Sequence, residues 1–511
     1  MDAYLAIDAG TGSGRAVLFD AAGRELAVAA AEWWHDSEPG VPGSMNFDCA
    51  RNWDTLSHCI RQCLSKAGIT PGDVRGVSAT SMREAFVLID AAGRELWACA
   101  NVDARAGAEV AALRAAHPGL ESRVYAASGQ TFALGALPRL MWLRTHAPEV
   151  LAQAHRLLML SDWVLWRLSG EAATDASNMG TTGLIGLASR APLPEAMAVA
   201  GLPDSLIPPV LDSGVRIGAV TAEAAAATGL APGTPVVTGG GDCQLGTLAL
   251  GLTEAGEAAV LGGTFWQTVV NAPRGLTDPA MDLRINPFVL PGLDQAEAIS
   301  FFTGAVMRWC RDAFGGGRDY AALEAEARQV PPGAYGIIPV FSDVMRYGHW
   351  FHAAPSLLNL PLDPVKGGAA AIFRALQENA AIVADRNLKA VFALTGARPE
   401  RVVFAGGAAT STAWAQILAD VTGLEVVTPA VIEATAMGTA AAAAAGTGLA
   451  PLPEVARTWV RHAATYRPDP ALADLYAGQA DRWAAAYAPQ RALAEVGITT
   501  PMWAAPGTTR T

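Results

Sequence analysis

Residues 7–15 carry the side chains best suited to bind a phosphate group and a metal ion. Asp8 ends a short apolar run, and Thr11 and Ser13 follow it among three glycines. Glycine lacks a Cβ, so its N–H groups can close around an anion, and the two hydroxyls add further donors. A carboxylate here suits hydrated Mg²⁺, which prefers one or two carboxylates together with phosphate oxygens. The candidate phosphate-loop residues are Thr11, Gly12, Ser13 and Arg15.

The elements around this loop favour a β-hairpin. Tyr4–Ile7 and Ala16–Phe19 are short, apolar and rich in strand formers, so they predict two strands joined by a tight turn. A dinucleotide-binding fold would need a helix directly after the glycines. The run that ends at Asp20 is too short for one. The remaining alternative is an ordinary glycine-rich hairpin that binds no ligand.

Two more glycine-rich turns follow predicted strands, and they suggest further contacts to phosphate or nucleotide. Their residues are Gly262, Gly263, Thr264, Gly406 and Gly407. Asp242 comes after an apolar strand and three glycines, where it could take the proton of an acceptor hydroxyl in phosphoryl transfer. Asp242 could instead cap the helix that follows it.

Two pairs of adjacent charges could recognise the hydroxyls of an acceptor. Arg83 and Glu84 lie between strand-like runs, and Asp103 and Arg105 form a second pair. Hydrogen bonds to charged groups are worth about 1.5–3 kcal/mol each, so such pairs can hold a polyol. The alternative is a solvated surface ion pair of little energetic consequence.

Composition excludes several classes of protein. Of the 511 residues 51% are hydrophobic and 16% charged, which argues against disorder, and the net charge of −12 offers no basic face for nucleic acid or an anionic membrane. We expect no membrane segment and no signal peptide. The six cysteines show no paired spacing. A cytoplasmic protein with reduced thiols is therefore expected.

The pattern of elements predicts an α/β architecture in two units. Helical patterns alternate with strand patterns, and the repeated Asp-Ala-Ala-Gly-Arg-Glu-Leu at Asp20–Leu26 and Asp90–Leu96 predicts two hairpin turns. We expect a boundary near residue 245. Residues 1–245 would hold the acceptor and the first phosphate loop, and residues 246–511 would bind the nucleotide.

Several of these segments resemble the FGGY carbohydrate kinases. Asp8–Arg15 resembles their first phosphate loop, Ser81–Glu84 the polyol-binding Arg-Glu of glycerol kinases, and Gly239–Gln244 their catalytic segment. Gly304–Asp312 and Ala405–Gly407 resemble nucleotide-binding segments, and Glu433–Gly438 the late family signature. The resemblance implies two actin-like, ribonuclease-H-like ATPase domains that flank a central cleft, with ATP and Mg²⁺ as cofactors.

The resemblance also implies roles for single residues. Asp242 would be the catalytic base, and Asp8 and Asp242 the metal ligands. The acceptor-binding set is Arg83, Glu84, Asp103, Gln130, Phe132 and Gln244. The nucleotide-binding set is Thr11, Gly12, Ser13, Arg15, Gly263, Thr264, Gly304, Arg308, Gly406, Gly407 and Ser411. Gln130 and Phe132 are included because Ser128–Pro138 lacks the tyrosine that a glycerol kinase places against its substrate. That departure argues against glycerol as the acceptor and leaves kinase chemistry intact.

The expected function is ATP-dependent phosphorylation of a small polyhydroxy ketone. One alternative is a kinase of the same family that acts on another sugar or polyol. Others are an actin-like ATPase without a small-molecule acceptor and a sugar sensor without turnover. A small-molecule substrate is the expected partner, with no nucleic acid or membrane, and the sequence leaves protein partners open.

Overall fold

The structure is a computed structural model that describes residues 2–300, 303–341, 346–348 and 351–505. The strands in chain order are β1 (Ala3–Ala9), β2 (Ser13–Asp20), β3 (Glu25–Glu32), β4 (Val74–Ser81), β5 (Phe86–Ile89), β6 (Glu95–Cys99), β7 (Arg156–Met159), β8 (Thr174–Asp175), β9 (Val210–Leu211), β10 (Arg216–Ala219), β11 (Pro235–Gly241), β12 (Ala258–Gly262), β13 (Trp266–Pro273), β14 (Arg284–Pro287), β15 (Leu293–Ser300), β16 (Ile338–Val340), β17 (Ser356–Leu358), β18 (Arg401–Ala405), β19 (Glu425–Pro429) and β20 (His462–Tyr466).

The α-helices in chain order are α1 (Cys49–Ala67), α2 (Gly107–Ala116), α3 (Leu120–Ser128), α4 (Ala136–His146), α5 (Pro148–Gln153), α6 (Leu160–Ser169), α7 (Ala176–Met179), α8 (Pro194–Ala200), α9 (Ala222–Thr228), α10 (Asp242–Ala249), α11 (Thr303–Phe314), α12 (Tyr320–Ala327), α13 (Ala369–Thr395), α14 (Thr412–Thr422), α15 (Ala434–Gly446), α16 (Leu452–Trp459) and α17 (Ala473–Glu495). No helix in the described part of the chain combines the length and the apolar character that crossing a bilayer requires.

The first large sheet has the order β10-β11-β4-β1-β2-β3. β1 and β2 pair antiparallel from Ala3 opposite Asp20 to Ala9 opposite Gly14, so the predicted hairpin is confirmed. β4 runs parallel to both β1 and β11. The carboxyl ends of these three strands therefore meet at one edge of the sheet.

Both copies of the seven-residue repeat form hairpin turns, as predicted. Asp20 accepts hydrogen bonds from the N–H groups of Ala22 and Arg24 and also pairs with the Arg24 side chain. Asp90 makes the same three contacts in the β5–β6 turn. A short carboxylate that reaches forward to the backbone fixes such a turn locally.

The second large sheet has the order β14-β15-β13-β12-β18-β19-β20. The predicted strand-turn-strand around the Gly262–Thr264 turn is the antiparallel pair β12 and β13. The predicted strand before Gly406 is β18, which runs parallel to β12 and is soon followed by α14.

Helix α10 packs against both large sheets. Its residues Leu245 and Leu248 join an apolar cluster with Tyr4 and Phe19 of the first sheet. Cys243 on the same helix joins a different cluster with Val269 of the second sheet. The expected boundary near residue 245 thus falls inside a helix common to both cores, and the division at this point stays a prediction.

Candidate active site

Three predicted site residues come together where parallel strands end. Ala9 and Gly241 both pair with Ser81, so β1, β4 and β11 end side by side. Asp8 is the penultimate residue of β1, Arg83 follows β4 by two residues, and Asp242 follows β11 directly. Ligands of open α/β sheets bind in the crevice outside the carboxyl ends of the strands. The chain therefore gathers these three charges where a substrate can bind.

Arg83 connects the edge where β1, β4 and β11 end to the second sheet. Its Nη1 and Nη2 donate to the two carboxylate oxygens of Glu297 at 2.6 and 2.9 Å, and its Nε lies 3.6 Å from Oδ1 of Asp242. The Glu297 side chain is fully buried. Burial alone would raise the pKa of Glu297, but the Arg83 charge and hydrogen bonds bring it below its usual value. Both terminal nitrogens of Arg83 are thus engaged by the protein itself.

Asp242 is the first residue of α10, and Gly241 holds the N-cap position. The Asp242 side chain keeps 40% of its surface exposed, and its Oδ1 accepts only a 2.7 Å bond from the following N–H among the described groups. Desolvation raises the pKa of Asp242, and the Arg83 charge opposes that shift. The capping alternative is therefore not what the geometry favours, because Gly241 and not Asp242 is the cap.

Asp8 has the more strongly perturbed carboxyl group. Desolvation, followed by the negative charge of Asp242, raises the pKa of Asp8 to about 7. The Arg15 guanidinium opposes this shift, and Glu433 adds to it. Two carboxylates that repel each other at the same edge of a sheet are a site where a divalent cation would be stabilised.

Trp33 fixes the loop that the sequence predicts to bind phosphate. Trp33 donates its ring N–H to the carbonyl of Gly10 and its backbone N–H to that of Gly12, at 3.0 and 3.1 Å. Thr11 is exposed and exchanges side-chain hydrogen bonds with Asn101. Ser13 begins β2. The carbonyl oxygens of Gly10 and Gly12 thus already accept hydrogen bonds from Trp33.

Arg15 points across to the second half of the chain. Its Nη1 lies 3.0 Å from Oε2 of Glu433, the residue before α15, and both side chains are partly exposed.

Most of the predicted nucleotide-binding residues surround one cavity of about 370 Å³. This volume lies in the range that small-molecule sites occupy. The predicted residues that line it are Gly263, Thr264, Gly304, Arg308, Gly407 and Ser411. Aromatic walls come from Tyr320, Phe373 and Trp414.

Close backbone packing explains two of the nucleotide-segment glycines. A Cβ on Gly304 would collide with the carbonyl oxygen of Gly263, and the Gly304 N–H donates to the Thr264 carbonyl at 3.1 Å. Gly406 has φ of 90° and packs against the backbone of Gly262. The side chain of Ser411 is the N-cap of α14, where it accepts the N–H of Trp414.

The acceptor residues Glu84 and Gln130 share one partner, Arg284 of β14. Arg284 lies 2.5 Å from the Glu84 carboxylate and donates to the Gln130 amide oxygen at 2.6 Å. Gln130, Arg284 and Glu297 line a small cavity of about 40 Å³ together with Trp503. Glu84 adopts a φ of 62°, uncommon for a non-glycine residue.

Gln244 is fully buried on α10, and neither its amide oxygen nor its amide nitrogen has a hydrogen-bond partner among the described residues. Unpaired buried amides are costly, so this side chain suits a polar ligand. A Cβ on Gly241 would lie 2.5 Å from the Gln244 oxygen, so a larger residue at this position would require the Gln244 side chain to move.

Two predicted acceptor residues have other surroundings. Both oxygens of Asp103 accept from Arg105, and one of them also accepts the Met45 N–H, while no part of the Asp103 side chain is exposed. Phe132 is a core residue in an apolar cluster. Contact of either side chain with an acceptor stays a prediction, and this geometry favours it less than contact with Gln244, since the Gln130 amide already pairs with Ile285, Asn286 and Arg284.

Sequence reasoning missed Arg284, Glu297 and the role of Glu433 as a partner of Arg15. Each lies more than 190 positions from its partner in the chain, so no local spacing could reveal the pairing. The local sequence gives no hint for Glu297, since half of the residues of β15 are polar.

Comparison with known proteins gives the family. Sequence models of the N-terminal and C-terminal domains of the FGGY family of carbohydrate kinases match residues 3–249 and 269–447. The chain belongs to this family. Membership makes it an ATP-dependent carbohydrate kinase that acts on a small molecule, as the motifs predicted.

Relatives and solved structures agree with this assignment. The kinase is 50% identical over 515 residues to autoinducer-2 kinase of Salmonella typhimurium, covering 98% of this chain and 97% of that protein. It is 51% identical to autoinducer-2 kinase of Yersinia enterocolitica, covering 99% and 98%. Xylulose kinase from Rhodospirillum rubrum superposes with a TM-score of 0.85 at 29% identity, covering 96% and 99%. Plasmodium falciparum glycerol kinase with ADP shares the fold alone, with a TM-score of 0.83 at 17% identity, covering 95% and 98%. These neighbours confirm the predicted two-domain, actin-like α/β fold.

Proposed function

We propose that this kinase transfers the γ-phosphoryl group of ATP to the terminal hydroxyl of autoinducer-2 in its open form, 4,5-dihydroxypentane-2,3-dione. The choice of acceptor rests on one observation: the sequence is 50–51% identical, over 98–99% of the chain, to kinases named for that substrate. The product, phospho-autoinducer-2, carries a charge that hinders its escape across a membrane, which suits a part in quorum sensing. Because the donor is ATP, the proposal keeps the expected cytoplasmic location.

Asp242 is the proposed general base. The acceptor hydroxyl oxygen attacks the γ-phosphorus, the bond from that phosphorus to the β–γ bridging oxygen breaks, and ADP leaves. The hydroxyl proton passes to the Asp242 carboxylate, whose side chain is partly exposed at the strand ends. Arg83, 3.6 Å away, favours the ionised form of Asp242 that this step needs.

Asp8 and Asp242 are the proposed ligands of Mg²⁺. The donor set fits, because the mutual repulsion that raises the pKa of Asp8 would be relieved by a divalent cation. Among the described residues no cluster of three or more metal-ligating side chains occurs, so water and phosphate oxygens would complete the coordination. Bound there, the ion would neutralise charge on the phosphates.

The proposed nucleotide contacts are divided between the two sheets. Thr11, Gly12, Ser13, Arg15 and Thr264 would hold the β- and γ-phosphates, and the cavity that Gly304, Gly407 and Ser411 line would hold the nucleoside. The proposed acceptor contacts are Gln244, Gln130, Glu84 and Arg284. We include Arg284 because a guanidinium can donate to the two adjacent carbonyl oxygens of the dione.

The test is incubation of the protein with ATP, Mg²⁺ and dihydroxypentanedione, followed by mass spectrometry of the phosphorylated product. Parallel reactions with xylulose and glycerol measure selectivity. In the Asp242→Asn variant we expect a loss of about 10²–10⁴-fold in kcat while the protein stays folded, because the general base is removed. Near wild-type turnover of that variant would exclude Asp242 as the base.

The alternatives give different results in the same experiment. If xylulose or glycerol is phosphorylated faster than dihydroxypentanedione, the proposed acceptor is wrong and the kinase assignment stands. Hydrolysis of ATP with no phosphorylated acceptor would favour the actin-like ATPase, and acceptor binding without turnover would favour a sensor.

A further inference from the structure

The nucleotide cavity contains a buried amide to which the motifs and the resemblance give no role. Gln377 of α13 lines this cavity with Ser411 and Trp414, and only 1% of its surface is exposed. Its Oε1 is buried and accepts no hydrogen bond from a described residue. A buried oxygen without a donor is costly, so this position calls for a ligand that can donate.

None of the described groups around Gln377 donates a hydrogen bond to its amide oxygen. The Trp414 ring N–H already donates to the backbone carbonyl of Gln377 at 3.1 Å, which also fixes α14 against α13. The Ser411 hydroxyl accepts the Trp414 N–H as a helix cap. Across the cavity, Glu324 is an acceptor that pairs with Arg328 at 2.6 Å. The Gln377 oxygen is therefore the buried acceptor in this cavity that the described side chains leave unpaired.

The remaining walls have the character of a base-binding pocket. Phe373 lies one turn before Gln377 on the same helix, and its ring centroid is 6.5 Å from that of Tyr320. Flat apolar walls beside a single amide suit an aromatic base that carries a hydrogen-bond donor at its edge.

We propose that Gln377 is a specificity-determining residue whose amide oxygen accepts a hydrogen bond from the exocyclic 6-amino group of adenine. The proposal deepens the proposed function, since it rests on this cavity holding the nucleoside of ATP. Adenine offers an N–H donor at this position, and a purine with hydrogen at carbon 6 offers none. The enzyme then distinguishes 6-aminopurine nucleotides by this one contact.

The test is a cycle of two ligands and two proteins. Dissociation constants for ADP and for purine riboside 5′-diphosphate, which lacks the 6-amino group, are measured by calorimetry for the wild type and for Gln377→Leu. We expect the wild type to bind ADP about tenfold more tightly than the analogue, the size of one net hydrogen bond. Gln377→Leu is expected to lose about tenfold for ADP and almost nothing for the analogue, because interacting groups are non-additive in such a cycle.

Two further variants control for folding and for helix perturbation. Gln377→Met keeps an unbranched side chain of similar length and replaces Gln377→Leu if the leucine variant is unstable. It should show the same selective loss of affinity for ADP. Asn379→Leu changes a buried amide two residues further along the same helix, and Asn379 lies in a separate cavity. That variant should bind ADP as the wild type does.

The outcomes separate this inference from the proposed function. If the wild type binds ADP but Gln377→Leu and Gln377→Met keep full affinity, or weaken both ligands equally, the role of Gln377 is refuted and the kinase assignment stands. If the wild type binds no adenine nucleotide, the proposed nucleotide site fails and the inference fails with it. Because no acceptor is present in the assay, a wrong choice of acceptor affects neither result.

Discussion

Glu297 offers the sharpest test of the site geometry, because its carboxylate is fully buried and pairs with both terminal nitrogens of Arg83. In Glu297→Gln the Arg83 charge stays buried, but the neutral amide offers it one acceptor oxygen instead of a carboxylate with two. Removal of one member of a buried pair costs about 3–5 kcal/mol, because the other charge loses both water and partner. For a unit of roughly 150–250 residues each kcal/mol lowers Tm by about 2–4 °C, so a fall of about 6–20 °C is expected.

The assay is thermal unfolding of nucleotide-free protein with kinetics in parallel. The matched control is Glu195→Gln, since Glu195 forms a comparable pair with Arg123 in which about half of each side chain is exposed. Solvent screens that pair, so its loss should change Tm far less. Equal shifts in the two variants would refute the argument that burial gives the Arg83–Glu297 pair its importance.

A double variant separates stability from catalysis. In Arg83→Met with Glu297→Leu both buried charges are removed, and apolar replacements of a buried pair are often neutral or stabilising. We expect Tm to recover while kcat stays low, because the cation 3.6 Å from Asp242 is gone. Recovery of kcat together with Tm would show that Arg83 has no influence on the base.

Three further predictions follow from the same geometry. Asp8 holds its proton up to a pKa of about 7 in the folded protein but only to about 3.8 when unfolded, so folding stability falls as pH rises between these values; Asp8→Asn should show a smaller fall, because buried carboxyl groups such as Asp175, whose pKa is also raised, still contribute, and Tm of both proteins measured from pH 4 to pH 8 checks it. Arg284→Met should raise KM for the acceptor about tenfold and leave KM for ATP unchanged, because its contacts are to Glu84 and Gln130; equal effects on both KM values would contradict it. Gly304→Ala should weaken ADP binding in calorimetry, because the added Cβ meets the backbone of Gly263, whereas Gly478→Ala in α17, whose Cβ would meet nothing within 4 Å, should bind ADP as the wild type does.

The locally encoded parts of the fold could be predicted from the sequence. The hairpin turns at Asp20 and Asp90 followed from short carboxylates before glycine, and each is built from contacts within four residues. The glycine turns that line the proposed nucleotide cavity could also be predicted from the sequence, because a glycine after an apolar strand indicates a close approach of two backbones. Gly304 against Gly263 is such an approach.

Contacts between distant parts of the chain could not be predicted in the same way. The contact of Arg83 and Glu84 with the acceptor stays a prediction, but their partners within the protein, Glu297 and Arg284, could not be predicted. Nothing in the spacing of the acidic and basic residues distinguishes these partners from other charges in the sequence. For Asp103 the sequence indicated the partner, Arg105, but it could not predict that both side chains of the pair are completely buried.

Four ion pairs among the described residues join the two halves of the chain, and their burial differs enough to predict how the cleft opens. One of them, Arg190–Asp294, has side chains only 14% and 0% exposed. Arg83–Glu297 is almost completely buried and Arg284–Glu84 nearly so, whereas Arg15–Glu433 has side chains 39% and 25% exposed. Water and salt screen a buried pair much less than a solvated pair, and a solvated pair contributes only about 0–1 kcal/mol. The lobes should therefore open on the phosphate-loop side and stay joined on the acceptor side. Hydrogen exchange followed by mass spectrometry tests this. Peptides covering the turn at residues 10–12 should exchange quickly and become protected when nucleotide binds, while those covering the turn at residues 82–85, which carries Arg83 and Glu84, should be protected throughout. Fast exchange at both places without nucleotide would mean that the buried pairs do not hold the lobes together.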